Sequence, residues 1–148
     1  MVCVYKWQKY TNNLKCYVGS DYAGCLKTRK STNGGALVLG AHCLKSWSSN
    51  QSVIALSSGE AEFYALVKGA SCLLGMISVA RDLNVELKGQ LWSDSSAAIG
   101  IASRKGLGKV KHLHTQFLWL QERVAAKDFS LHKAVSYTHL RAHETEEN

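Results

Sequence analysis

Two kinds of residue in this sequence could do chemistry: isolated carboxylates beside apolar runs, and clusters of Lys and Arg in glycine-containing stretches. Glu62 stands near the start of an apolar-periodic run, Asp94 directly after the short run Gln90 to Ser93, and Asp21 at the head of a basic stretch. Taken singly, each has an ordinary reading. Glu62 suits the positive end of a helix dipole, and Asp94 suits a helix cap beside Ser95. Lys27, Arg29 and Lys30 form one basic cluster, and Arg104, Lys105, Lys109 and Lys111 form another. Such clusters either hold the phosphates of a polyanion or keep a solvated face soluble. His112 and His114 with Cys25 could be imagined around zinc, but no cysteine pair has finger spacing, and that chemistry is set aside.

The balance of charge suits a polyanion or an acidic membrane and does not by itself choose between them. Lys and Arg number 18 against 11 Asp and Glu, a formal net charge of +7. The length of 148 residues suits one domain. With 46% hydrophobic and 20% charged residues, wholesale disorder is excluded. No run approaches 18 consecutive apolar residues and no basic-then-apolar leader opens the chain, so neither a membrane span nor a secretory signal is expected. Cys3, Cys16, Cys25, Cys43 and Cys72 are odd in number and contain no C-x-x-C pair. They read as reduced thiols, without disulfide partners, of an intracellular, cytoplasmic protein.

Residues 135–148 differ from the rest, with no periodicity and no cap. The stretch Val135 to Thr145 looks like a translated sequencing-library adaptor, so 135–148 is expected to be a non-native tail. Without it, 17 basic residues face 8 acidic ones over 134 positions, or +9.

The elements that must position these residues follow from pattern. Leu14 to Val18 reads as a strand, followed by a basic loop over 21–34. Gly35 to Leu39 and Leu44 to Ser48, separated by a turn with Gly40, read as a hairpin. Ser57-Ser58-Gly59-Glu60 fits a capping box. Behind it Phe63, Leu66, Ala70, Leu73, Leu74 and Ile77 recur at helical spacing, predicting a helix to about Asp82. Gly69 and Gly75 inside that helix suggest close approach of another backbone. A strand over 90–93, a short helix over 95–102, a basic loop over 104–111, a helix over 113–125 and a strand over 129–132 complete an α/β order with a mixed sheet.

Four sequence blocks carry a resemblance. Tyr17-Val18-Gly19-Ser20-Asp21-Tyr22-Ala23-Gly24 with Arg29-Lys30-Ser31-Thr32-Asn33-Gly34 is the first, and Ser46-Trp47-Ser48 with Ala55-Leu56-Ser57-Ser58-Gly59-Glu60-Ala61-Glu62-Phe63 is the second. Trp92-Ser93-Asp94-Ser95-Ser96-Ala97-Ala98-Ile99 is the third, and Lys111-His112-Leu113-His114 running into the helix with Trp119 and Glu122 is the fourth. In this order they resemble the ribonuclease H domain of copia-type retrotransposon Pol polyproteins, over about residues 14–133. The resemblance implies an RNase H-like fold, a five-stranded mixed sheet with three antiparallel strands, parallel additions and flanking helices. It makes 1–13 a remnant of the connection from the reverse transcriptase region and 14–134 the domain itself. The activity implied is two-metal hydrolysis of the RNA strand in RNA–DNA hybrids during reverse transcription, in the virus-like particle of the element. The partners implied are the hybrid and the reverse transcriptase region, and no membrane.

The same resemblance assigns four acids to two Mg²⁺ (or Mn²⁺) ions. Hard cations want oxygen ligands, and two of them about 3.5–4 Å apart need clustered negative charge to offset their repulsion. Glu62 falls on the helix acid and Asp94 on the acid ending the fourth strand. The other two positions depart from the pattern. Gly19 stands where the first-strand Asp belongs, leaving Asp21 as a third, poorly placed ligand two residues (about 6.6 Å) further along the strand. His114 stands at the fourth acid, where imidazole is a poor Mg²⁺ ligand but could move a proton. The basic residues Lys27, Arg29, Lys30, Arg104, Lys105, Lys109 and Lys111 would flank the site and hold hybrid phosphates. Trp92 and Trp119 could serve as base-stacking platforms, but the expectation is a strand residue packed in the core for Trp92 and a helix residue at the edge of that core for Trp119. Weak cation binding and impaired catalysis are the expectation, with a non-catalytic nucleic-acid-binding remnant of a decayed element as the alternative.

Overall fold

The computed structural model describes residues 2–106, 108 and 118–135. Strict alternation builds the first strand, β1 (Asn13–Asp21): Leu14, Cys16 and Val18 are buried, while Lys15 and Tyr17 point to the other face. It pairs antiparallel with β2 (Thr32–Leu39), which pairs antiparallel with β3 (His42–Asn50). All three strands run longer than pattern alone suggests, because cross-strand pairing extends them through polar residues such as Ser20, Asn33 and Ser49. Gly40 takes φ +62° in the two-residue connection between β2 and β3, a left-handed value suited to a tight hairpin.

The next element, α1 (Ser58–Asp82), is the crossover that lets β4 (Lys88–Ser93) lie parallel to β1. Phe63, Leu66, Ala70 and Leu73 of α1 are fully buried, in one core cluster with Leu14, Cys16, Leu37 and Leu91 of the sheet. Length and apolarity alone would let α1 cross a bilayer, but its apolar side is the centre of this core. Gly69 packs tightly against side chains of the sheet and not, as expected, against another backbone: a Cβ there would stand 2.3 Å from Val18 Cγ1 and 3.2 Å from Cys16 Sγ and Leu91 Cδ1. Gly75 has open space around it, and nothing in the structure explains a glycine there. After β4 come α2 (Ser96–Ser103), α3 (Trp119–Ala125) and β5 (Ser130–Lys133), which pairs parallel with β4. The sheet order is β3-β2-β1-β4-β5, a mixed five-stranded sheet as expected.

Two local expectations change. The capping box is shifted: Ser57 Oγ accepts from Glu60 N–H, but the Glu60 carboxylate accepts from Leu56 N–H instead of Ser57 N–H. That carboxylate is buried and also accepts the Tyr64 hydroxyl at 2.5 Å, so it ties the helix start together from inside. Trp92 is not in the helix-covered core. It alternates with buried Leu91 and Ser93 and lies on the opposite face, stacked between Tyr17 (6.0 Å) and His132 (4.5 Å). Trp119 does pack at the core edge.

Residues 2–12 form no regular element, yet they are held. The Gln8 side chain donates to Leu39 C=O and accepts from Ala41 N–H, and the Tyr5 hydroxyl donates to Cys43 C=O, fastening this stretch to the β2–β3 hairpin.

Candidate active-site cleft

Because β1 and β4 are parallel neighbours, their carboxyl ends lie at the same end of the sheet, and the first turns of α1 meet them there. A cleft of about 430 Å³ opens at that point. Its wall is formed by Gly19 and Ser20 of β1, Gly34 of β2, Glu62 of α1, Trp92 of β4, Asp94 and Ala134.

Glu62 is half-buried, and Ser20 N–H donates to its Oε1 at 3.2 Å. Its Oε2 is buried without a hydrogen-bond partner among the described residues. Burial pushes the carboxyl up to about 7; the Ser20 N–H opposes the shift, and the negative charge of Asp94 adds to it. Asp94 is exposed and is not the cap of α2. That role belongs to Ser95, whose Oγ accepts from Ala98 N–H at 3.2 Å, so the Asp94 carboxylate is left for the cleft.

Gly19 lines the cleft beside these acids, and a Cβ built on it would meet nothing within 4 Å. Its partner across the strand pair, Gly34, is equally bare. Asp21 does not compensate. β1 does extend to it, but its carboxylate lies over Gly24, with Oδ2 2.0 Å from where a Gly24 Cβ would stand, and it does not line the cleft. Glu62 and Asp94 are therefore brought together, while Asp21 is turned away. His114 lies outside the described residues.

Two carboxylates, one with a buried unsatisfied oxygen, suit a hard divalent cation in kind. They fall short in number: no group of three His, Cys, Asp or Glu side chains converges among the described residues.

The basic clusters are placed differently from one another. Lys27, Arg29 and Lys30 ride on a tight loop that leaves the cleft end of β1, closed by Arg29 N–H to Cys25 C=O (2.7 Å) and Cys25 N–H to Lys30 C=O (3.2 Å). Arg104 and Lys105 follow the far end of α2, where the Gln121 side chain holds the backbone of Gly106. None of these five lines the cleft itself. Lys109 and Lys111 lie outside the described residues.

Sequence reasoning missed three residues around the site. Ser20 supplies the N–H to Glu62 through its backbone, which no side-chain pattern reveals. Gln51, buried just after β3, carries no periodic signal. Lys133, beside Ser93 at the end of β5, reaches Ser96 Oγ, and only the β4–β5 pairing brings it there.

No family model matches the chain. It is 26% identical over 113 residues, 75% of its length, to the retrovirus-related Pol polyprotein from transposon TNT 1-94 of Nicotiana tabacum, and it spans 8% of that polyprotein. Among solved structures, it is similar to LC11-RNase H1, isolated from compost by a metagenomic approach, with a TM-score of 0.57 at 16% identity, covering 90% of this chain and 92% of the other. The same enzyme crystallised with an RNA/DNA hybrid aligns with a TM-score of 0.53 at 11% identity, covering 85% and 87%. This chain has the RNase H-like fold, and its sequence is similar to one short stretch of a retrotransposon Pol polyprotein.

Proposed function

We propose that the chain is the RNase H-like domain of a retrotransposon Pol polyprotein, built to hydrolyse the RNA strand of RNA–DNA hybrids and impaired in doing so at Gly19 and His114. The observation that carries this reading is the meeting of Glu62 from α1 and Asp94 from the end of β4 beside a glycine with open space around it. Two acids from separate elements at the carboxyl ends of parallel strands form a site that no single local motif would build.

Bound Mg²⁺ or Mn²⁺ would supply Lewis acidity and an activated water for phosphodiester hydrolysis. Glu62 and Asp94 would hold the cation. Ser20 N–H keeps the Glu62 carboxylate aimed, while burial retains its proton to about pH 7, so that cation and proton compete for it. Asp21 would have to leave Gly24 to join them. Lys27, Arg29 and Lys30 would hold hybrid phosphates from the loop after β1, a contact that orients without reading sequence. Arg104 and Lys105, past the end of α2, would extend that hold, and the resemblance gives Lys109 and Lys111 the same role. The reverse transcriptase region of the same polyprotein would deliver the hybrid. Residues 1–13 belong to the connection from that region, and 135–148 are a non-native tail.

The test uses the full chain, a labelled RNA–DNA hybrid, and Mg²⁺ or Mn²⁺. The parent cuts weakly or not at all. Gly19→Asp combined with His114→Asp restores cutting, and adding Glu62→Ala removes it again. A folded double variant that cleaves with neither metal would overturn the assignment. Salt-dependent hybrid binding by a parent that never cleaves would favour the non-catalytic remnant.

A further inference from the structure

We infer that Gln51 positions the Glu62 carboxylate, acting through β1 and the first turn of α1; the inference rests on the assignment of Glu62 to the cleft. Gln51 is 4% exposed and sits directly after β3. Its Nε2 donates to Asn33 Oδ1 of β2 at 2.6 Å and to Ala61 C=O of α1 at 2.8 Å, and it stands 3.4 Å from Ser20 Oγ of β1. A carbonyl can only accept, so the contact with Ala61 fixes which end of the amide is nitrogen.

The residues gathered by this one amide are the immediate neighbours of the Glu62 contact. Ala61 precedes Glu62, and Ser20 is the residue whose N–H donates to Glu62 Oε1. The Ser57 cap and the Glu60 carboxylate also fasten the start of α1, through Glu60 N–H, Leu56 N–H and the Tyr64 hydroxyl. Gln51 ties that turn to two strands of the sheet. Where the carboxylate lies relative to Gly19 depends on that tie. The amide is retained at a cost, since its Oε1 is buried without a hydrogen-bond partner among the described residues.

A second buried glutamine provides the control. Gln121 is 7% exposed and makes a comparable set of bonds, donating to Ile101 C=O and Gly106 C=O and accepting from Gly106 N–H, without lining the cleft.

The experiment is ¹H–¹⁵N NMR of the full chain carrying Gln51→Met or Gln121→Met, with Mn²⁺ affinity measured in parallel. Gln51→Met should shift the Ser20 amide resonance and speed its solvent exchange at least about tenfold. Gln121→Met should lower Tm while leaving that amide in place. Mn²⁺ affinity should fall severalfold for Gln51→Met only. A Ser20 amide that behaves identically in the two variants overturns the inference. A displaced Ser20 amide without measurable Mn²⁺ binding by any of the proteins still supports the positioning, and counts against the metal reading instead. Should Gln51→Met fail to fold, Asn33→Ala removes the shortest bond of the amide and should move Ser20 in the same way but less; an unmoved Ser20 there also overturns the inference.

Discussion

The two sides of the cleft are unequal. On the helix side, Glu62 sits on a capped turn, braced by buried Glu60 and tied to the sheet through Gln51 and Ser20. On the strand side, Gly19 and Gly34 face each other with open space around both. The scaffold that holds Glu62 is complete, while the strand position beside it is bare. A glycine at residue 19 therefore need not disturb the fold. A sheet keeps its register through backbone pairing and through the buried alternate residues Leu14, Cys16 and Val18, none of which depends on residue 19.

The contrast can be broken first at its strongest part. Glu60→Ala removes the acceptor used by Leu56 N–H and the Tyr64 hydroxyl inside the core, and it should cost roughly 2–4 kcal/mol of stability. Chemical denaturation measures this, and a loss below about 0.5 kcal/mol would mean that the helix wall is not braced as described. Gly19→Asp is the complementary change. With no atom within 4 Å of its Cβ and a backbone outside the left-handed region, it should fold normally. Titration calorimetry should show Mn²⁺ affinity rising about tenfold to a hundredfold, or 1.4–2.7 kcal/mol.

A smaller effect lies in pH. The Glu62 carboxyl is raised from 4.5 to about 7 in the folded state. Between these values the folded chain binds more protons than the unfolded one, so stability falls as pH rises through that window. Solvent screening at this half-buried site leaves on the order of 1–2 kcal/mol. Denaturant midpoints taken without divalent cations should decline from pH 4.5 to 7, and Glu62→Gln should flatten that slope. The smallest effect is expected from Asp21→Asn, whose carboxylate lies over Gly24 and does not line the cleft. Mn²⁺ affinity should change by less than about twofold, and a larger loss would return Asp21 to the ligand set.

Much of this was legible beforehand for identifiable reasons. The strand at Leu14 to Val18 and the helix after Ser57 announce themselves by period, since burial of one face demands it. Gly69 was readable as a point of tight packing because a helix interior tolerates glycine at a cost that packing must offset. Gly75 carried the same signal and has no such neighbour. Trp92 misled because an aromatic strand residue suits either face, and only the neighbours Leu91 and Ser93 decide which is covered. Glu62 and Asp94 came from matched blocks. Nothing in spacing alone joins residues 32 positions apart.

By itself, the sequence determined the order of elements, the excess of basic charge and the absence of a carboxylate at residue 19, because each is a property of local pattern or residue type. Tertiary structure alone decided that Glu62 and Asp94 share a cleft, that Asp21 turns to Gly24, and that Gln51 reaches Ala61. Those contacts depend on which strands lie side by side and on the face each side chain takes, and they are fixed only when the parallel β1–β4 pair and its helical crossover close the sheet.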